Sequence, residues 1–312
     1  MALAQSKRSG GLRVTAKQGI DSSLPPTGLL LIGMGPGRLS GMTSEALEAA
    51  KSADVRRYEA YTALWPQHEL ESLEQVIGSI QKVMRPEVEQ PDILFDLART
   101  SLVALMVVGD PLQATTHVDL QLQAAEAGIE CRTFHGVSIT TLVTGAIGLS
   151  NYKFGRQTTL TYPYGGWVAT SPLEVIAANL QQNLHTLALL DLDPTGEGVG
   201  RQVPMKPHDA VVSLKLMREK LAQSVADMSV ETALQTMRVE ACNALLKQRF
   251  DLMPVVLCSD MGTDEQRVVT TTVGKLGAID GGRLNCLVFP SNPSEVEEKA
   301  LLRWQRGVMD DV

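Results

Sequence analysis

The sequence predicts an α/β fold in two units. Three observations carry that expectation. Short apolar runs alternate with helix-period segments through the first half, polar glycine-bearing stretches follow those runs directly, and the texture changes at Leu149, where aromatics and cations begin to mix. Strands alternating with helices form a mainly parallel sheet covered on its faces. Ligands in such sheets bind beyond the carboxyl ends of the strands, so function is sought in the stretches that follow the apolar runs. A length of 312 residues suffices for two domains. The expected division is a tail over 1–27, an N-terminal α/β domain over 28–140 and a C-terminal α/β domain over 141–312.

The tail expectation rests on Lys7, Arg8, Arg13 and Lys17 set against the single acid Asp21, with no apolar periodicity. It lacks the apolar core of a secretory signal, and a basic, serine-bearing transit peptide is the alternative reading. Leu29 to Ile32 is the first strand, followed at once by Gly33 to Gly37, GMGPG. Pro36 and the missing third spaced glycine argue against a dinucleotide fingerprint. The turn either passes close to a ligand or packs on a neighbour. Thr43 or Ser44 caps a helix ending near Ala53. Val55 to Tyr58 is a second strand ending in YEAYT, whose tyrosines, glutamate and threonine either face a cleft or pack with solvated hydroxyls.

Leu102 to Val108 reads as a fully buried strand, and Asp119 to Ala127 as a helix stopped by Gly128. Between them, Val107 to Val118 reads VVGDPLQATTHV. Gly109 permits close backbone approach, Pro111 stiffens the path, and Asp110 either accepts from an amine or ribose hydroxyl or, like Thr116, caps the loop and helix. Glu130 to Phe134 is the next strand. HGVSI, 135–139, then turns into a small-residue helix reaching Leu149, with Ser138 as cap or ligand contact. If this sheet is parallel, these loops share one rim.

In the second half, Gln157 to Tyr162, Leu184 to Leu192, Pro254 to Cys258 and Asn285 to Phe289 are the expected strands. Ser171, Pro172 and Glu174 spell a capping box for a helix to about Gln182, and Ser294 with Glu297 spells another for a last helix reaching Trp304. Helical periodicity also marks 209–221 and 230–247, with a loop over 193–207.

A net charge of -7 argues against nucleic-acid binding through bulk electrostatics, and no apolar run approaches a membrane span. Cys131, Cys242, Cys258 and Cys286 lack paired metal spacing and read as reduced cytosolic thiols. The five histidines lack ligand spacing as well, so no metal site is expected.

GMGPG, YEAYT, GDPLQATTH, HGVSI, GLSNYKFGR and LHTLALLDL occur in this order. With them the chain resembles the diphthine synthases, a family within the tetrapyrrole methylase superfamily, from about Leu29 to Trp304. GDP marks only the superfamily, whereas ATTH with YEAYT and YKFG marks the diphthine synthases. The resemblance implies two α/β domains of the tetrapyrrole methylase type with the cofactor cleft between them, in a cytoplasmic homodimer. The implied activity is repeated methyl transfer from S-adenosyl-L-methionine to the amine of a modified histidine on translation elongation factor 2, during diphthamide biosynthesis. Carried over by position, the implied cofactor contacts are Pro36, Asp110, Gln113, Ser138, Ile139, Leu190 and Cys258. No catalytic residue is assigned. His117 is the nearest candidate base in the sequence, or it fixes the loop. Leu192 and Asp193 stand where the family usually has Ile-Lys, Ser259 where an arginine is common, and Ser291 and Ser294 where a glycine and a histidine are usual. The alternatives are a small-molecule methyltransferase of the precorrin type and a non-catalytic relative.

Overall fold

The computed structural model describes residues 24–199 and 201–305. The tail expectation, up to residue 23, lies outside the described residues. The first sheet holds β1 (Gly28–Gly33), β2 (Val55–Glu59), β3 (Gln81–Val83), β4 (Leu102–Val107) and β5 (Cys131–Phe134) in the order β3-β2-β4-β1-β5, every pair parallel. β1 and β4 read GLLLIG and LVALMV and are buried along their whole length. Side chains alternate between the two faces of a strand, and both faces here need an apolar cover. Leu30, Ile32, Ala104 and Met106 pack beneath the helices Ser44–Ser52 and Gln67–Ile77. Leu29, Leu31, Val103 and Leu105 face the helices Asp92–Ala98 and His117–Glu126.

The second sheet holds β6 (Thr158–Leu160), β7 (Thr186–Leu190), β8 (Pro254–Ser259), β9 (Arg267–Thr272) and β10 (Asn285–Phe289) in the order β6-β7-β10-β8-β9. Only β6 and β7 run parallel; the other pairs are antiparallel. Ala188, Leu190, Leu257, Leu287 and Phe289 form a core with the helices Ser171–Gln181, Pro207–Ser224 and Ala233–Lys247. On the other face, Val256, Cys258 and Val288 pack with Val143 and Ile147, from the end of the helix Ile139–Ala146. That helix springs from a first-sheet loop and underlies the second sheet, and the expected boundary at 140 falls in its first turn.

Thr43 and Ser294 cap their helices through side-chain hydrogen bonds, as their sequence positions predict. Ser171 does not. It is the first helical residue, Thr170 precedes it at the cap, and Glu174 is taken by the Thr170 hydroxyl and the Arg238 guanidinium. β3 and β9 are strands that periodicity did not reveal. β3 is three residues at a sheet edge with only Val83 buried, and RVVTTT in β9 has no clean alternation.

Three first-sheet strand ends meet through glycine. A Cβ on Gly33 would overlap the Gly136 amide, and one on Gly136 would overlap the Gly109 carbonyl. Gly35 and Gly109 exchange backbone hydrogen bonds of 3.1 and 2.9 Å. At the far end of the second sheet, buried Glu297 accepts from Ser294 N at 2.8 Å, Ser150 N at 2.9 Å and Lys153 Nζ at 2.9 Å, with His185 Nε2 at 3.3 Å. Burial alone would raise its pKa, but these donors hold the carboxyl far below the usual range.

Gly136→Ala should lower stability by at least about 2 kcal/mol, because the overlap is with backbone that cannot swing aside; a urea midpoint equal to the parent's would refute this. Because the Glu297 pKa is depressed, its contribution is complete above the unfolded value of about 4.3 and lost as pH falls through the native value. The stability difference between the parent and Glu297→Gln should therefore shrink on acidification, as read by denaturation at a series of pH values.

Candidate active site between the two sheets

Because β1, β2, β4 and β5 are parallel, the loops after them share one rim. β10 runs antiparallel to β7 and β8, so its beginning lies beside their ends. These edges face each other across a cleft whose empty space, open mouth included, is about 890 Å³. Pro36, Thr62, Val108, Gly109, Gln113, Thr115, Ser138 and Ile139 line one side, and Leu189, Leu190, Leu192, Cys258, Asp260, Met261 and Arg283 line the other. The walls approach closely at Gly262, whose φ is +83° and where a Cβ would strike Pro36. Trp65 Nε1 donates to Gly35 O at 3.0 Å and ties the β2 loop to the β1 loop.

Six of the seven residues singled out from the sequence meet in this cleft: Pro36, Gln113, Ser138, Ile139, Leu190 and Cys258. Thr140 has one hydroxyl hydrogen, and Gln113 Oε1, which can only accept, takes it at 2.5 Å, so the Gln113 amide group is left as a donor. Ser138 Oγ accepts from Thr140 N at 3.2 Å and lies 3.0 Å from Thr140 Oγ1. Cys258 is fully buried opposite Cys286. The contact with that thiol and burial push its pKa well above the ordinary range, making it a neutral wall and not a nucleophile. Asp110 is the seventh residue and stands behind the cleft surface. Its Oδ1 accepts from Leu112 N at 2.9 Å, and its Oδ2 meets His135 Nδ1 at 2.8 Å and accepts from Gly136 N at 3.3 Å. It binds the β4 loop to the β5 loop.

YEAYT and ATTH meet in one buried pair. Glu59 and His117 are both sealed from solvent, with Oε2 and Nε2 2.8 Å apart; the contact is an ion pair without hydrogen-bond alignment. His117 Nδ1–H donates to Pro111 O at 2.9 Å, which fixes the ring. Burial pulls the His117 pKa down, but Glu59, the Pro111 carbonyl and Glu89 together raise it above the ordinary value. His117 does not line the cleft. Thr62 does, and its hydroxyl donates to Glu59 Oε1.

Arg283 and Asp260 also reach the cleft, and no motif marked them. Arg283 precedes β10 and arrives at the rim only because that strand enters antiparallel between β7 and β8. The residues that depart from the family pattern are accommodated locally. Leu192 lines the cleft, and Asp193 closes its own loop through Thr195 and Gly198. Ser259 bonds Asn285, and Ser294 caps the last helix.

Residues 28–277 match the tetrapyrrole (corrin/porphyrin) methylases. A diphthine synthase of Methanocorpusculum labreanum is 33% identical over 279 residues, 88% of this chain and 98% of that one. This chain belongs to the diphthine synthase family of tetrapyrrole methylases. Its architecture agrees: a crystal structure of a diphthine synthase superposes with a TM-score of 0.71 at 27% identity, covering 89% of this chain and 96% of the other. A conserved hypothetical protein of Aeropyrum pernix K1 gives 0.73 at 30% identity over 91% and 92%. Like the rest of the diphthine synthase family, the chain is a methyltransferase.

His117→Ala leaves Glu59 buried without its partner and should cost about 3–5 kcal/mol; a loss below about 1 kcal/mol in urea denaturation would mean that the pair is dispensable. Since the histidine pKa is raised, the pair contributes fully below the unfolded value of about 6.5 and fades as pH rises through the native value. That decline on the alkaline side should be absent from His117→Gln, a comparison made by repeating the denaturation across the neutral to alkaline range.

Proposed function

We propose that the cleft binds S-adenosyl-L-methionine and that the enzyme methylates the amine of the modified histidine of translation elongation factor 2, working as a cytoplasmic homodimer. The observation that carries this reading is the convergence of Pro36, Gln113, Ser138, Ile139, Leu190 and Cys258, from both halves of the chain, on one cleft. The walls suit that cofactor. Leu189, Leu190, Ile139 and Met261 offer apolar surface to a purine and an alkyl chain, while Gln113 offers an amide donor and Ser138 a hydroxyl. Asp110 would act indirectly, by holding the loops that carry Gly109, Gln113 and Ser138.

When bound, the sulfonium supplies an electrophilic methyl group and a neutral thioether leaving group. The chain's part is to place the acceptor nitrogen in line and to exclude water, and positioning of this kind is worth several orders of magnitude in rate. The acceptor must be unprotonated. A cleft walled by leucine, isoleucine, methionine and cysteine disfavours an ammonium and lowers the acceptor's pKa. His117, sealed behind Thr62, holds the β4 loop and makes no contact with the cleft.

The deciding assay supplies methyl-labelled S-adenosyl-L-methionine with elongation factor 2 whose target histidine carries the aminocarboxypropyl group. Label on that histidine is expected. Label on a porphyrinoid instead, or a calorimetric titration without cofactor affinity, would refute the proposal.

A further inference from the structure

Two charged side chains, Asp260 and Arg283, line the cleft among the described residues, and only one of them is available to a ligand. Asp260 is spent on the backbone entering β10: Oδ2 accepts from Arg283 N at 2.8 Å and Oδ1 from Leu284 N at 2.9 Å. This fixes where Arg283 starts. Its guanidinium is then held by one arm, Nη1 donating to Leu64 O at 2.8 Å, while Nε and Nη2 have no hydrogen-bond partner among the described residues. A half-buried guanidinium that lines a mostly apolar cleft, with one arm anchored and two nitrogens not engaged by the described residues, is matched by a planar two-oxygen anion, that is, a carboxylate.

The Leu64 carbonyl places this fork beside the loop that carries Thr62. The single hydroxyl hydrogen of Thr62 is committed to Glu59 Oε1, and Glu59 is in turn held by His117. Thr62 Oγ1 can therefore only accept from the cleft, so its partner must be a hydrogen-bond donor such as an amine N–H. A fixed cationic fork next to an obligate acceptor matches an α-amino-acid group.

We propose that Arg283 and Thr62 form the subsite for the α-amino-acid group of the methyl acceptor, Arg283 taking its carboxylate and Thr62 an N–H of its amine in each transfer to an amine that still carries one. The inference rests on the proposed function, whose acceptor side chain ends in such a group. Anchoring the carboxylate and one N–H fixes two of the amine's directions and so orients its lone pair. Transfer forms the N–C bond from that lone pair and breaks the S–C bond, whose electrons stay on sulfur, and the amine proton leaves to solvent. An acceptor lacking the carboxylate loses the anchor, so the pair determines specificity.

The methyl donor also carries an α-amino-acid group, and the test separates the two. With labelled donor and the aminocarboxypropyl form of elongation factor 2, Arg283→Met should raise the acceptor KM about 10- to 100-fold, the loss expected for one charge-assisted interaction. Its Kd for S-adenosylhomocysteine should stay within about twofold of the parent's, which also reports that the variant folds. Arg283→Lys, which keeps the charge and loses the fork, should recover part of the KM and serves as the decisive variant if Arg283→Met does not fold. Thr62→Val should lower kcat, with rescue by Thr62→Ser. An unchanged acceptor KM overturns the proposal. So does a loss of S-adenosylhomocysteine affinity with undiminished affinity for 5′-methylthioadenosine, which lacks the amino-acid group, because the subsite would then belong to the donor. Failure of the parent enzyme to label this acceptor refutes the proposed function itself, and the subsite falls with it; labelling by the parent with no Arg283 effect refutes the subsite alone.

Discussion

The structure depends on backbone meeting backbone at Gly33, Gly109 and Gly136. The carboxyl ends of β1, β4 and β5 come so close that no Cβ fits between them, and Gly35 and Gly109 then exchange hydrogen bonds as the chain leaves the sheet. This contact gathers three loops at one point. The surface beyond the sheet becomes one side of a cleft instead of a row of separate turns. Asp110 completes the arrangement by accepting from the Gly136 amide, and Trp65 extends it to the β2 loop.

The polar groups around the cleft divide into those that hold the walls and those that face the ligand space. Asp110, Asp260, Glu59 and His117 have their oxygens and ring nitrogens committed to loop backbone or to each other. Ser138, Gln113, Thr62 and Arg283 are each held by one or more bonds and retain another capacity. The division follows from cost. A buried charge without a partner is expensive, so the charged groups are used for structure, and the neutral groups and one anchored guanidinium are left to meet a ligand.

The second sheet contributes by an opposite device. Its mixed direction lets β10 enter where β7 and β8 end, so the segment before it supplies Arg283, and its first residue Asn285, to the same rim as Leu190 and Cys258, which lie at strand ends. The Glu297 cluster fixes the other end of that sheet, joining the start of the last helix to Ser150, Lys153 and His185. The serine at 294 belongs to this cluster as a helix cap.

Most of the parallel sheet was determined by local sequence. GLLLI and LVALMV are apolar on both faces, which only a strand covered on both sides satisfies, and the glycine-bearing loops that follow such strands mark the binding edge. Six cleft residues were legible through the family resemblance: five sit in its motifs, and Cys258 ends an expected strand. The edge strand β3, the irregular β9 and the cap at Thr170 were not, because edges and caps carry little periodic signal. Only the tertiary structure decided that Asp110 ties the β4 and β5 loops together, that Glu59 pairs with His117 and that Arg283 lines the cleft. Each outcome depends on residues at least 23 positions apart, brought together by strand order and direction. Sequence periodicity encodes which face of an element is buried, not which neighbour that face will meet.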